Sequence, residues 1–176
     1  IFVKNRIKTP KFFAIKKNEF TIKKLRTNII KKKNRFPLVI KPINEGSSLG
    51  VEICKNKNEL LKLTKKLFKK YNQLIFEEYV GGQEIQVAVI NGKALGAIEL
   101  VPKRLFYDYK AKYTKGAKTK HLMPARLNKI KYKEVLKIAK KAHQALKCKG
   151  VTRSDFKFFN NQFNILEINT QPGMTN

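Results

Sequence analysis

Near the end of the chain two β-prone runs, Phe156 to Phe159 and Phe163 to Ile168, flank Asn160-Asn161. A pair of turn formers between such runs predicts a hairpin. The hairpin constrains more than its own backbone, because alternate side chains of a strand share a face. Arg153 and Asp155 then point one way together, as do Glu167 and Asn169, and strands paired across the turn bring all four to one patch. Two carboxylates, an amide oxygen and a guanidinium so gathered form a site for a hard cation with an anion beside it, and magnesium carrying nucleotide phosphates is its natural occupant. A surface ion pair beside a solvated strand face fits the same residues. The stretch continues into Thr170-Gln171-Pro172-Gly173-Met174-Thr175, where a proline-glycine pair ends the strand and lets backbone approach a ligand closely.

A chain of 176 residues holds one ordinary domain or two small ones. Its 42% hydrophobic content is ample for a core and argues against disorder. The net charge of +28, from 40 Lys and Arg against 12 Asp and Glu, raises nucleic-acid binding first. The lysines, however, are spread along nearly the whole chain among many Asn, Ile and Phe, the mixture expected of a genome poor in G and C. Arginine, which reads base edges bidentately, is sparse. No specific nucleic-acid partner is expected, only salt-sensitive attraction to anions. Cys54 and Cys148 lie far apart without a CxxC spacing and read as thiols of a reducing compartment. No apolar run has the length of a membrane span and no signal-peptide pattern is visible, so no membrane partner is expected.

Upstream, Lys11 to Ile15 predicts a strand, and Asn18 to Asn34 carries Phe20, Ile22, Leu25, Ile29 and Ile30 at the spacing of a basic amphipathic helix packed on a sheet. From Phe36 to Ile53 two β-prone runs enclose a loop of Gly, Ser and Asn, a hairpin with a flexible lid. No Gly-Lys-Ser/Thr follows, so it is not a Walker A loop. The amides of Gly46, Ser47 and Ser48 are nevertheless free to close over phosphate oxygens, with Lys41 as a point charge at the strand end. An ordinary hairpin connection accounts for these residues equally well.

Asn58 to Lys70 predicts a second helix, with Asn58 as N-cap and Leu60, Leu61, Leu63, Thr64, Leu67 and Phe68 as its apolar stripe. Leu74 to Tyr79 predicts a buried strand running into Val80-Gly81-Gly82, a hinge at which Glu77 can accept from an adenine amino group while Val80 offers backbone. Nothing in the spacing demands adenine. Glu84 to Ile90 alternates, and Asn91-Gly92 predicts a tight turn to Ala94 to Leu100. Phe106 to His121 is a long polar loop rich in aromatics, and loops of that length are disordered or cover active sites. In the second case Lys112 and Tyr113 would be drawn over substrate on closure. A helix is predicted from about Lys131 to Lys147, stopped by Gly150. His121 and His143 have no partner at ligand spacing and read as solvated or structural.

Taken together, Lys41-Pro42 with Glu45 to Val51, Glu77-Glu78-Tyr79 with Gly82 and Glu84, Phe106 to Tyr113, Pro124-Ala125, Arg153-Ser154-Asp155, and Leu166 to Thr175 resemble the ATP-grasp enzymes, and among them the D-alanine:D-alanine ligase family. The order and spacing of these motifs cover the chain from about Pro37 to its end. The resemblance implies an α+β fold with two α+β subdomains, 1–79 and 80–176, enclosing a nucleotide between antiparallel sheets. It implies that Lys41 and Lys112 hold ATP phosphates, that Glu77, Val80 and Glu84 hold adenine and ribose, and that Asp155, Glu167 and Asn169 bind two magnesium ions, for which manganese can substitute. It further implies that Ser47 and Tyr113 orient substrate, and that Arg153 with the backbone at Gly173 stabilises an oxyanion.

The implied reaction phosphorylates one D-alanine on its carboxylate and lets the amine of a second attack the acyl phosphate, in cytoplasmic synthesis of cell-wall peptidoglycan precursors. A D-alanine:D-lactate or D-alanine:D-serine ligase of the same fold is the alternative. The resemblance also leads us to expect a fragment. The family's N-terminal domain, with its carboxylate for the first D-alanine and a surface for a possible homodimer, would precede Ile1, and a serine contacting the second D-alanine would follow Thr175.

Overall fold

The computed structural model describes residues 1–46, 48–101 and 119–173. They form two compact units, one of Pro10–Tyr79 and one that joins Ile1–Thr9 to 80–101 and 119–173. The expected subdomains, 1–79 and 80–176, differ from these units at the start of the chain. Ile1–Thr9 is tied to the larger unit because the Thr9 hydroxyl donates to the Ile165 carbonyl and the Ile165 amide donates to the Lys8 carbonyl, each at 2.9 Å.

The smaller unit contains β1 (Phe12–Lys16), α1 (Ile22–Lys31), β2 (Leu38–Pro42), β3 (Glu52–Cys54), α2 (Lys57–Phe68) and β4 (Gln73–Glu78). Its strands form an antiparallel sheet in the order β1-β4-β2-β3. Strand alternation sends Phe13, Ile15, Leu38, Ile40, Leu74 and Phe76 to one face, where they meet Leu25 of α1 and Leu60, Leu67 and Phe68 of α2. Phe13 and Phe76, opposite each other in register, stack with ring centroids 5.0 Å apart. Complete burial of a side chain as large as Phe76 contributes about 2–3 kcal/mol. Caps, rather than apolar spacing, set the helix starts. Thr21 accepts from the Lys24 amide at 3.0 Å, so α1 begins later than Asn18. Asn56, not Asn58, caps α2 by accepting from the Glu59 amide at 2.9 Å, while Glu59 reaches back to the Lys55 amide at 2.7 Å.

The larger unit contains β5 (Gln83–Ile90), β6 (Lys93–Val101), β7 (Lys120–Leu122), α3 (Lys129–Ala145), β8 (Val151–Phe159) and β9 (Gln162–Asn169). Its sheet is antiparallel in the order β7-β6-β5-β8-β9. Both tight turns are as expected: Asn91 and Gly92 have φ of 48° and 77°, and Asn160 and Asn161 have φ of 47° and 60°, the left-handed pair that a two-residue hairpin requires. Lys120–Leu122 pairs with β6, so the end of the expected loop is strand. Asn128 caps α3, which starts two residues ahead of the Lys131 expected and ends at Ala145, before Gly150. The helix covers the face carrying Ile85, Val87, Val89, Ala97, Phe156, Phe163 and Ile165 with Val135, Ala139 and Ala142. His143 is buried there, 2.8 Å from the Thr152 hydroxyl, a structural histidine. Among the described residues no helix is long and apolar enough to cross a membrane.

Candidate functional site

In the larger unit the face opposite α3 carries the polar residues. On β8 the inward positions are Thr152, Ser154 and Phe156, which leaves Arg153, Asp155 and Lys157 on the other side. On β9 plain alternation would put Glu167 and Asn169 on the same face as Phe163 and Ile165, in the core. A bulge prevents this. Phe156 stands opposite Ile165 and Asp155 opposite Glu167, so Leu166 is the extra residue and the phase of β9 reverses. Glu167 and Asn169 thereby reach the polar face, and Ile168 packs against the core instead.

Arg153 and Asp155 form a bidentate pair, Nε to Oδ1 at 2.8 Å and a terminal guanidinium nitrogen to Oδ2 at 2.9 Å. The Asn169 amide donates to Asp155 Oδ2 at 3.3 Å. Asp155 is only 6% exposed. Burial pushes its carboxyl up to about 6, with Glu167 and Glu84 adding to the rise and the Arg153 guanidinium opposing it. Beside this group Lys157 donates to Glu84 Oε2 at 2.9 Å. Among the described residues this face thus carries three acids, Glu84, Asp155 and Glu167, against two bases, a local surplus of negative charge in a chain of net charge +28.

A cation would relieve that surplus. Among the described residues no group of three or more His, Cys, Asp or Glu side chains is placed to hold a metal. The donors here are two carboxylates and an amide. That set suits magnesium, which usually takes one or two carboxylates and completes its shell with water and substrate phosphates, rather than a metal needing an all-protein cage. Half a turn of the Asn169 amide would present its oxygen to the ion.

In the smaller unit Lys41 of β2 and Glu77 of β4 lie on the face away from the helices, joined by an ion pair of 2.9 Å. Val80 is half-buried just after β4, and Gly173 is exposed, with no atom of the other described residues within 4 Å of where a Cβ would stand. Ser47, Lys112 and Tyr113 lie outside the described residues. Sequence reasoning missed Lys157, although it shares the alternation of Arg153 and Asp155. It also missed Glu99, a carboxylate 3% exposed on the α3 side of β6, held by Nε and one terminal guanidinium nitrogen of Arg126 at 2.9 and 2.8 Å and by Gln83 at 3.1 Å.

The family model described as the D-ala D-ala ligase C-terminus matches residues 1–176. A D-alanine--D-alanine ligase of Pelagibacter ubique is 56% identical over 99% of this chain and 56% of its own length. The crystal structure of the D-alanine--D-alanine ligase from Bacillus anthracis superposes with a TM-score of 0.81 at 31% identity, covering 99% of this chain and 55% of that one. The same organism's enzyme complexed with ATP gives 0.78 at 28% identity, covering 99% and 53%. The chain spans about half the length of the relatives it matches. With two antiparallel sheets, the smaller covered on one face by α1 and α2 and the larger by α3, an α+β fold of the ATP-grasp type, this chain belongs to the D-ala D-ala ligase C-terminus family.

Proposed function

We propose that this chain supplies the nucleotide- and magnesium-binding part of a ligase that joins two D-alanines at the expense of ATP. The observation that carries the reading is the polar face of the larger sheet, where Asp155, Glu167 and Asn169 converge beside Arg153. The likeness to a Bacillus anthracis ligase complexed with ATP supports the nucleotide.

In this reading Asp155, Glu167 and Asn169 hold magnesium, which when bound neutralises phosphate charge and aligns the transferring group. Arg153 is anchored by Asp155 and presents a fixed cation to the oxyanion formed as an amine attacks an acyl phosphate, a task that needs preplaced donors. The backbone at Gly173 adds a donor of the same kind. On the smaller sheet Lys41 exchanges Glu77 for a phosphate oxygen, which frees Glu77 to accept from the adenine amino group while Val80 offers backbone. Glu84 takes the ribose hydroxyls. Lys112 adds charge at the phosphates, and Ser47 and Tyr113 orient the amino acid. Phosphoryl transfer asks the protein for alignment and charge neutralisation more than for covalent chemistry, which suits this inventory. The product would serve peptidoglycan precursor synthesis in the cytoplasm.

The test is release of phosphate from ATP, dependent on magnesium and D-alanine, by the full-length protein carrying this chain. Full activity in an Asp155→Ala, Glu167→Ala double variant would overturn the metal assignment. Absence of dipeptide with D-alanine, but product with D-serine or D-lactate as acceptor, would replace the substrate.

A further inference from the structure

The ion pair between Lys157 and Glu84 sits on the same face as Asp155, and its geometry gives Glu84 a direction. Lys157 of β8 stands opposite Glu84 of β5 in register, and the two side chains are 14% and 13% exposed. The ammonium donates to Oε2 at 2.9 Å, and among the described residues no other donor reaches the Glu84 carboxylate. One oxygen is therefore anchored, and among the described residues the other, Oε1, has no donor. An uncompensated acid here would also add to the surplus charge around Asp155. A lysine in this position answers both needs, where an apolar side chain would leave a half-buried carboxylate without a partner.

We infer that Lys157 is a positioning residue for nucleotide selection, holding Glu84 by Oε2 so that Oε1 accepts from the vicinal hydroxyls of the ribose. The inference rests on the reading of Glu84 as the ribose contact and extends it. Lys157 does not touch the nucleotide. It narrows the orientations of Glu84, so ribonucleotide binding costs less side-chain entropy. The sugar, not the chemical step, should register its loss.

The experiment compares ATP with 2′-deoxyATP in steady-state kinetics of the full-length protein carrying this chain, for Lys157→Met, Lys157→Arg and Glu84→Gln. Lys157→Met keeps the length of the side chain and removes the donor. It is expected to raise KM for ATP about tenfold with kcat nearly unchanged, and to shrink the preference for ATP over 2′-deoxyATP by a similar factor, as loss of a charge-assisted hydrogen bond implies. Lys157→Arg, which keeps a donor, should recover most of the preference. Should Lys157→Met fold poorly, the arginine variant decides alone: a preference retained with arginine supports the inference, and one lost with arginine overturns it. An unchanged KM and preference in Lys157→Met, beside a lost preference in Glu84→Gln, would overturn the role of Lys157 while leaving the ribose contact standing. An unchanged preference in Glu84→Gln would overturn both.

Discussion

On the four-stranded sheet Lys41 meets Glu77 one to one, whereas on the five-stranded sheet, among the described residues, Glu84, Asp155 and Glu167 face two bases, Arg153 and Lys157. Both sheets put helices on one face and charge on the other, so the difference lies in the balance of that charge. A matched pair such as Lys41–Glu77 needs nothing further to be tolerated. A surplus acid beside a carboxylate as buried as Asp155 is held at a cost in stability until a cation arrives. With only 12 acids against 40 bases in the chain, gathering three acids on one face reads as a demand of function.

The largest expected effect breaks the unbalanced face. Asp155→Asn should lower turnover of the full-length protein by about a thousandfold, the loss expected when a metal ligand worth several kcal/mol in the transition state is removed. It should not lower stability at pH 7. The folded-state value of Asp155, about 6, lies above its ordinary 3.8, so the native state holds a proton more tightly than the unfolded chain does. Its contribution to stability is therefore greatest at acid pH and falls as pH rises from 3.8 through about 6, and by pH 7 the neutral amide removes a penalty. A midpoint of thermal unfolding several degrees lower for Asp155→Asn would contradict that sign. Lys41→Met is the counterpart on the balanced face, and should lower stability by leaving Glu77 without its partner.

The next comparison concerns backbone. Gly82, leading into β5 with φ of 83°, has the Phe158 carbonyl oxygen only 2.2 Å from where a Cβ would stand. Gly50, ahead of β3 with φ of 72°, has the Pro42 ring at 2.9 Å and the Tyr71 hydroxyl at 3.1 Å. Both alanine variants strain the backbone, but a ladder carbonyl moves less readily than a proline ring or a tyrosine hydroxyl. Gly82→Ala is expected to cost about 3 kcal/mol or more and Gly50→Ala about 1–2 kcal/mol, read by urea unfolding. Equal losses would mean that the β5–β8 ladder yields as easily as the Pro42 contact.

Glu99 reverses the sign of Asp155 on the other face of the same sheet. The Arg126 hydrogen bonds hold its carboxyl below the ordinary value of 4.5, with Gln83 helping and burial opposing. A depressed value stabilises above pH 4.5, and that contribution is lost as pH falls through the folded-state value. Glu99→Gln should cost about 1–2 kcal/mol at pH 7 and flatten the acid limb of the stability profile, since the exposed Arg126 retains water. An acid limb unchanged in the variant would show that Glu99 does not report folding there.

Much of this plan was legible because it depends on local rules. Both hairpin turns follow from Asn91-Gly92 and Asn160-Asn161, and the alternation of β8 places Arg153 with Asp155. The convergence of Glu167 with Asp155 was legible only as a hypothesis. The bulge at Leu166 that makes it possible has no glycine or other composition signal, and an unbulged β9 would have buried Glu167 beside Ile165. Helix starts were misplaced for a related reason. Caps at Thr21, Asn56 and Asn128 are single hydrogen bonds, and apolar spacing does not see them. The Glu99 network was hidden because Arg126 and Glu99 are distant in sequence and join only when β6 is formed.

The smallest effect asks whether the two sheets open separately. Cys54 ends β3 in the core of the smaller unit with no exposed surface, and burial pushes its thiol up to about 12, with Glu59 and Glu52 adding to the rise. Cys148 lies in the connection between α3 and β8 and is half-buried. The thiolate is the reactive species, so at pH 8 Cys54 is protected twice, by access and by ionisation. Native chain is expected to take one equivalent of a maleimide quickly, at Cys148, and a second only as fast as the smaller unit opens. Mass spectrometry of tryptic peptides distinguishes the two thiols. Gly50→Ala should then speed the labelling of Cys54 by about tenfold for each 1.4 kcal/mol it costs, because it weakens the sheet that buries this thiol. Gly82→Ala, the more damaging change, should leave the Cys54 rate nearly alone, because its strain falls on the β5–β8 ladder. Equal acceleration by both variants would show that the two sheets unfold as one cooperative unit, and that the contrast between them is one of charge alone.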